Sequence, residues 1–306
     1  MPQMTLLDIA KLNGAGGLAE LVDEASSYCP EVRLVAARTV KGTSYKTLVR
    51  TALPSAGFRN ANEGASITKS TYENRLFQCM IFNPKWQIDK AIALANEDGP
   101  AALLSLEADA MLQGSFQTLG KQFYYGDVNG GDAKGHPGLI DMYDSAAMVV
   151  DAGGTTVDTG SSVWAVKHGP NDVQWLWGQD GDLGLTDPVE VQALDGSSNP
   201  YTAIMQEILA HVGLKMGSTR CVGRIKKLTA DSGKGLTDAL IYDLLSKFQA
   251  GVVPDVLMMS RRSLKQLRAS RTATNATGAP APIPTDVEGI PIQVTDAILD
   301  TEALTL

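Results

Sequence analysis

Two runs of alternating residues stand out in the pattern of apolar and polar positions. Ala37 to Pro54 carries Thr39, Lys41, Thr43, Tyr45, Thr47 and Val49 on one side and Val40, Ser44, Lys46, Leu48 and Arg50 on the other. Ser66 to Phe82 sets Ile67, Lys69, Thr71, Glu73, Arg75 and Phe77 against Thr68, Tyr72, Asn74, Leu76 and Met80. Thr, Tyr and Val favour strands, yet neither run has a clean core-facing side. The pattern predicts a projecting two-stranded ribbon; about fifteen residues at a rise of about 3.3 Å reach roughly 50 Å. A ribbon of that kind is marginal in water by itself, so it is expected to lie on another subunit. An ordinary edge hairpin folded onto its own domain is the alternative, and periodicity leaves both readings open.

Elsewhere the pattern is conventional. Thr5 to Leu12 and Leu18 to Ala25 read as amphipathic patches on either side of a flexible Asn13-Gly14-Ala15-Gly16-Gly17, an arm in all. Asn83-Pro84 is a good helix start and predicts a helix from Lys85 to Asn96. After Gly99-Pro100, apolar residues from Leu103 to Leu119 recur at helical spacing and extend it into one long, bent helix. Residues Gly126 to Gly138 are loop. Strands are predicted over Val163 to His168, Val173 to Trp177, Val189 to Leu194, Tyr201 to Val212 and Thr219 to Leu228, separated by Gly, Pro, Asn and Asp turns. Leu236 to Ala250 reads as a helix, Pro254 to Met259 as a buried strand, Ser260 as the cap of a basic helix with Arg261, Arg262, Lys265 and Arg268, and Gly289 to Val294 as a last strand. Ser270 to Thr285 reads as a loop. Strands and helices in segregated blocks favour an α+β fold class.

A chain of 306 residues with 44% hydrophobic content buries a real core as one large domain or two interleaved ones. Its 34 acids against 26 bases give a net charge of −8, which argues against tight nucleic-acid binding. Cys29, Cys79 and Cys221 are odd in number and lack metal or redox spacing, as in a reduced, cytosolic protein. Neither a secretion signal nor a membrane span is indicated.

Catalytic chemistry finds no foothold. Gly14 to Ala19 matches the loose dinucleotide pattern without its strand or its acid, and reads as a hinge. Asp231-Ser232-Gly233-Lys234-Gly235 lacks the spacing of a phosphate loop and reads as a turn. His136, His168 and His211 are far apart and no Gly-x-Ser-x-Gly nominates a serine, so catalytic, cofactor and metal sites are all expected to be absent. Trp164, Trp175 and Trp177 offer an aromatic ligand platform, but Trp175 and Trp177 alternate on one strand and read rather as sheet cover or interface filler, and the basic helix as a solvated face paired with acids.

Arm, polar ribbon, long helix, strand block and loop-rich final third, in that order, resemble the major capsid proteins of tailed double-stranded DNA bacteriophages, the Hong Kong 97 fold. Two segments are more specific. Ser162-Val163-Trp164-Ala165-Val166-Lys167-His168-Gly169-Pro170-Asn171-Asp172-Val173, continuing through Tyr201 to Val212 and Arg220 to Leu228, is similar to the strand region of the coat proteins of epsilon-type short-tailed phages. Gly289-Ile290-Pro291-Ile292-Gln293-Val294 through Ala303 is similar to their closing segment.

The resemblance implies a structural protein and no enzyme. Residues 1–36 would be the N-terminal arm, 37–82 the extended loop, 83–137 a peripheral domain with the spine helix, and 138–306 an axial domain, with part of the 160–230 strand block completing the peripheral one. The chain would self-assemble into hexamers and pentamers of an icosahedral virion capsid around packaged DNA bound without sequence specificity. Intersubunit contacts would come from Tyr45, Leu48, Arg50, Phe58, Arg59, Ile67 and Arg75. The portal, a separate scaffolding protein and, in some members, a decoration protein would be its partners, with assembly in the bacterial host cytoplasm and no membrane involved. Some members crosslink a loop lysine to a neighbour; Lys41, Lys46 and Lys69 are available, and no crosslink is expected. With only about 35 residues before the ribbon, no maturation cleavage is expected either. A bacterial nanocompartment shell of the same fold and a soluble α+β enzyme are the rival readings.

Overall fold

The computed structural model of the chain describes residues 4–6, 8, 27–142, 147–181, 183–275 and 278–304. Its strands are β1 (Ala37–Thr39), β2 (Ser44–Ala52), β3 (Thr71–Gln78), β4 (Met80–Phe82), β5 (Lys85–Asp89), β6 (Val149–Asp151), β7 (Ser161–Val166), β8 (Val173–Trp177), β9 (Val189–Leu194), β10 (Pro200–Glu207), β11 (Ala210–Met216), β12 (Val222–Leu228), β13 (Val256–Met259), β14 (Asp286–Val287) and β15 (Ile290–Val294). The principal helices are Pro100–Tyr125, Asp238–Ser246 and Arg261–Ala273.

Three sheets form the body. The largest has the order β14-β15-β13-β7-β12-β6, and its central strand β7 is buried at every position. The strand alternation sorts β7 between two cores. Trp164 and Val166 face a cluster with Phe123, Tyr124, Trp175 and Trp177, while Val163 and Ala165 face one with Ile241, Leu244 and Leu267 of the two C-terminal helices. A four-stranded sheet, β1-β8-β11-β4, packs its tryptophans into the first core, and a small sheet, β5-β10-β9, covers the start of the long helix through Ile88 and Leu103.

The helix Pro100–Tyr125 has 26 residues and so spans about 39 Å. Proline occupies its first turn, where no amide partner is needed. Its C-terminal end, from Leu119 to Tyr125, is the more deeply buried, against Val35, Trp164 and Trp175. The α+β fold class holds, the three tryptophans lie in the core, and Ser260 caps its helix by accepting from Ser263 N.

Several expectations need correction. Lys85–Asp89 is a strand, not the first turns of a helix: Ile88 pairs with Ile204 and Trp86 with Gln206 of β10. Only Lys90–Ala93 is helical there, capped by Asp89, whose side chain accepts from Ala91 N. The long helix therefore starts at Pro100 and is not a bent continuation from residue 85. The predicted strand Tyr201 to Val212 is two strands, because β10 belongs to the small sheet and β11 to the four-stranded one, with Ile208 and Leu209 between them. The basic helix runs to Ala273, into the stretch read as loop. Most of the N-terminal arm, including the Gly14 to Ala19 hinge and the Leu18 to Ala25 patch, lies outside the described residues.

Candidate intersubunit surface

β2 and β3 form a two-stranded antiparallel sheet of their own, in register from Ser44↔Gln78 to Arg50↔Tyr72. The projecting ribbon is thus present and its hydrogen-bonded shaft is nine and eight residues per strand, shorter than the sequence pattern predicted. At its base the chain continues into β1, which pairs in parallel with β8, and into β4, which pairs with β11. Alternation gives the shaft two faces. Tyr45, Thr47, Val49, Arg75 and Phe77 are half-buried, whereas Lys46, Leu48, Arg50, Tyr72, Asn74 and Leu76 are open to solvent.

The sequence-predicted contact residues divide between base, shaft and tip. Tyr45 lies at the base, its ring gripped by cations of its own chain, Arg38 at 4.9 Å and Lys215 at 5.2 Å. Arg75 sits 3.7 Å from Glu73 on the same strand. Arg50 lies 5.4 Å from the Tyr72 ring centroid, and a hydrogen bond with Ser70, followed by that guanidinium, holds the phenol pKa below its usual value. Leu48 is 64% exposed on the shaft, and at the tip Phe58 and Ile67 are fully exposed. The tip keeps its shape by internal hydrogen bonds: Arg59 Nη1 donates to Glu63 O at 2.8 Å, Asn60 N to the Glu63 carboxylate at 3.2 Å, and Thr68 Oγ1 to Ser55 O at 3.0 Å. A hydrogen-bonded tip presents apolar side chains that nothing in the described residues covers.

A second polar assembly, missed by the sequence reading, ties the body together beneath the ribbon. Glu302 near the C-terminus is buried; its carboxylate accepts from Tyr125 Oη at 2.5 Å, Ser162 Oγ at 2.5 Å and Arg224 Nη2 at 3.1 Å. Arg224 Nε also donates to Ser162 Oγ at 2.9 Å. Nearby, Glu31 accepts from Tyr124 Oη at 3.0 Å and from Thr295 Oγ1, while Trp175 Nε1 donates to Glu31 O at 3.2 Å. Burial raises the Glu31 pKa, with these hydrogen bonds opposing, and it pushes the Tyr124 and Tyr125 phenols well above their usual value. The N-terminal segment, the end of the long helix, the central sheet and the closing segment all meet here. Arg224 shares β12 with Lys226 and Lys227, so no local pattern in the sequence set it apart.

The other polar groups among the described residues are dispersed. His136 is buried edge-on to Trp175, and burial lowers its pKa to about 4. Burial pushes the Cys29 and Cys221 thiols up to about 12. Asp231 is held down to about 2 chiefly by the hydroxyls of Thr156 and Thr229, and Lys234 N donates to Asp231 O at 3.1 Å, which closes the Asp231 to Gly235 segment as a turn. Arg262 and Arg271 of the basic helix pair with Asp300 and Asp238. No group of three His, Cys, Asp or Glu side chains suited to a metal ion occurs among the described residues, and none of their helices is long and apolar enough to cross a membrane.

Comparison with known proteins supplies the context for a chain whose most exposed feature is a ribbon. A chain of the bacteriophage Epsilon15 structure superposes with a TM-score of 0.74 at 20% identity, covering 99% of this chain and 98% of that one. The capsid of the Myoviridae phage XM1 gives a TM-score of 0.49 at 10% identity over 69% of this chain and 95% of its own. A chain of Mycobacterium phage Cain gives 0.47 at 12% identity over 73% and 98%. The search of curated proteins returned no match. The Epsilon15 likeness carries the fold, which is the α+β, Hong Kong 97-like capsid fold with its extended hairpin and long spine helix. The model of the family of the major capsid protein GP7 matches residues 16–305, nearly the whole length, and the chain therefore belongs to that family of structural proteins that form phage virion capsids.

Proposed function

We propose that this chain forms the hexamers and pentamers of an icosahedral head that encloses double-stranded DNA, and that the ribbon is the element through which each copy holds the next. The observation that carries this reading is a tip whose backbone is held by internal hydrogen bonds and which bears two fully exposed apolar side chains, Phe58 and Ile67. Leu48, Arg50, Phe58, Arg59 and Ile67 make the contact, and Tyr45 and Arg75 add what surface they leave open near the base. Each apolar side chain buried on a neighbour contributes about 1.5–3 kcal/mol, and symmetry repeats the contribution at every copy.

In this reading residues 1–36 are the arm and 37–82 the extended loop. Residues 83–137, with the spine helix and part of the 160–230 strands, make the peripheral domain, and the rest of 138–306 makes the axial domain around the symmetry axes. The net charge of −8 suits a shell that surrounds DNA without gripping it. A scaffolding protein and a portal complete the assembly, which takes place in the host cytoplasm. The test is electron microscopy of the chain expressed alone and sized on a column. Closed shells, sheets or capsomer rings are expected. A discrete monomer or dimer that never assembles, even with scaffold supplied, would overturn the reading, and shells filled with a co-purified enzyme would transfer it to a nanocompartment.

A further inference from the structure

The base of the ribbon is built differently from its shaft. β1 and β4 lie at opposite edges of the four-stranded sheet. The chain enters and leaves the ribbon from strands three places apart, about 14 Å at the usual strand spacing, and converges to a single spacing where β2 meets β3. It does so across the ends of β8 and β11. Gly42 O accepts from Gln179 N at 3.1 Å, Val40 O from Asp180 N at 3.0 Å and Thr43 O from Cys79 N at 2.8 Å. Two glycines make the close approach possible. A Cβ at Gly178 would lie 2.9 Å from His211 Cβ and 3.0 Å from Gly42 O, and one at Gly213 would lie 2.7 Å from Gln78 O.

Tyr45 stands at this crossing, opposite Phe77. Arg38 of β1 and Lys215 of β11 both sit against its ring, at 4.9 and 5.2 Å. Lys215 is only 2% exposed, and its ammonium donates to Pro170 O at 2.6 Å, so it is anchored to the body at both ends of its side chain.

We propose that Arg38, Tyr45 and Lys215 form a clamp that sets the angle at which the ribbon leaves the body, acting as positioning residues for assembly. Two cations carried by two different strands hold one ring on the ribbon. Tilting the ribbon draws the ring off at least one of them, and Lys215 cannot follow. Leverage makes the angle matter: with a shaft of about 30 Å, a tilt of about 10° displaces the tip by about 5 Å. The proposal rests on the ribbon being an intersubunit element.

The test compares Tyr45→Leu, Tyr45→Phe and Lys215→Met in the full chain. It reads amide hydrogen exchange at Cys79 and Gln179 in the unassembled subunit, and particle diameters by electron microscopy. Tyr45→Leu and Lys215→Met are expected to raise exchange at those amides about tenfold, a factor equal to about 1.4 kcal/mol. They should leave exchange in β7 and β13 unchanged and broaden the spread of diameters. Tyr45→Phe keeps the ring face and is expected to behave as the unaltered chain. The clamp is overturned if Tyr45→Leu changes neither readout, or if Tyr45→Phe is as defective as Tyr45→Leu, since the hydroxyl and not the ring would then be at work. Should Lys215→Met fail to fold, the two Tyr45 variants decide alone. Because the exchange measurement needs no shell, a failed clamp is distinguishable from a failed intersubunit ribbon, which tip variants that assemble normally would reveal.

Discussion

In the ribbon, Phe58 and Ile67 lie against water on a backbone held by its own hydrogen bonds; at the junction below, the carboxylates of Glu31 and Glu302 lie away from water among hydroxyls and a guanidinium. Each is the reverse of the usual placement of its side chains, apolar outside and charged inside. The difference separates two tasks. The junction closes the subunit upon itself, joining segments as far apart in sequence as Glu31 and Thr295. The ribbon leaves its apolar area uncovered by the described residues, and under the proposed function its stabilisation comes on assembly. If that separation is real, variants of the two regions should damage different properties.

The largest effect on the subunit is expected from Arg224→Met, which leaves Glu302 buried without its cation. Breaking a buried pair from one side costs about 3–5 kcal/mol, whereas replacing both partners by apolar residues recovers much of the loss. Urea unfolding of the unassembled subunit should show that loss for Arg224→Met and a partial return for Arg224→Met with Glu302→Met. A loss under about 1 kcal/mol would mean that Glu302 finds water or another partner, and the junction would not be the lock described.

Phe58→Asp tests the other side of the comparison. The side chain is fully exposed among the described residues, so subunit stability should change by less than about 0.5 kcal/mol. Assembly should fail, because a charge replaces about 1.5–3 kcal/mol of apolar burial at every repeated contact. Particles of normal yield and diameter from this variant would remove the ribbon tip from the interface.

Legibility in the sequence follows the range of the interactions. Ser260 as a cap, β13 as a buried strand and the turn at Asp195 could be read because a few neighbouring residues decide them. The ribbon was legible because its alternation pairs with no apolar face. Asn83-Pro84 misled for the same local reason: good helix-start chemistry was overridden by the pairing of Ile88 with Ile204, more than a hundred positions away. The break between β10 and β11 carries no Gly or Pro, since it marks a change of sheet and not a turn. The ring contacts of Tyr45 could not be read, because Arg38 and Lys215 come together only through the four-stranded sheet. The junction was invisible, because Glu31, Ser162, Arg224 and Glu302 meet only in three dimensions.

The smallest effect is a pH dependence at Glu31. Burial raises its carboxyl pKa in the folded chain, with the hydrogen bonds from Thr295 and Tyr124 opposing, so between the unfolded and folded values the native state holds the extra proton. Stability from this group is then complete below the unfolded value and falls as pH rises through the folded one, by about 1.4 kcal/mol for each pKa unit separating the two. Glu31→Gln keeps an oxygen acceptor for Tyr124 and Thr295 and removes the titration. Relative to the unaltered chain, the variant should gain stability steadily as urea titrations of the unassembled subunit move from acid to neutral pH, and Phe58→Asp should show no such trend. A difference between Glu31→Gln and the unaltered chain that does not vary with pH would mean that Glu31 is ionised at the junction throughout. Its hydrogen bonds from Tyr124 and Thr295 would then have outweighed its burial.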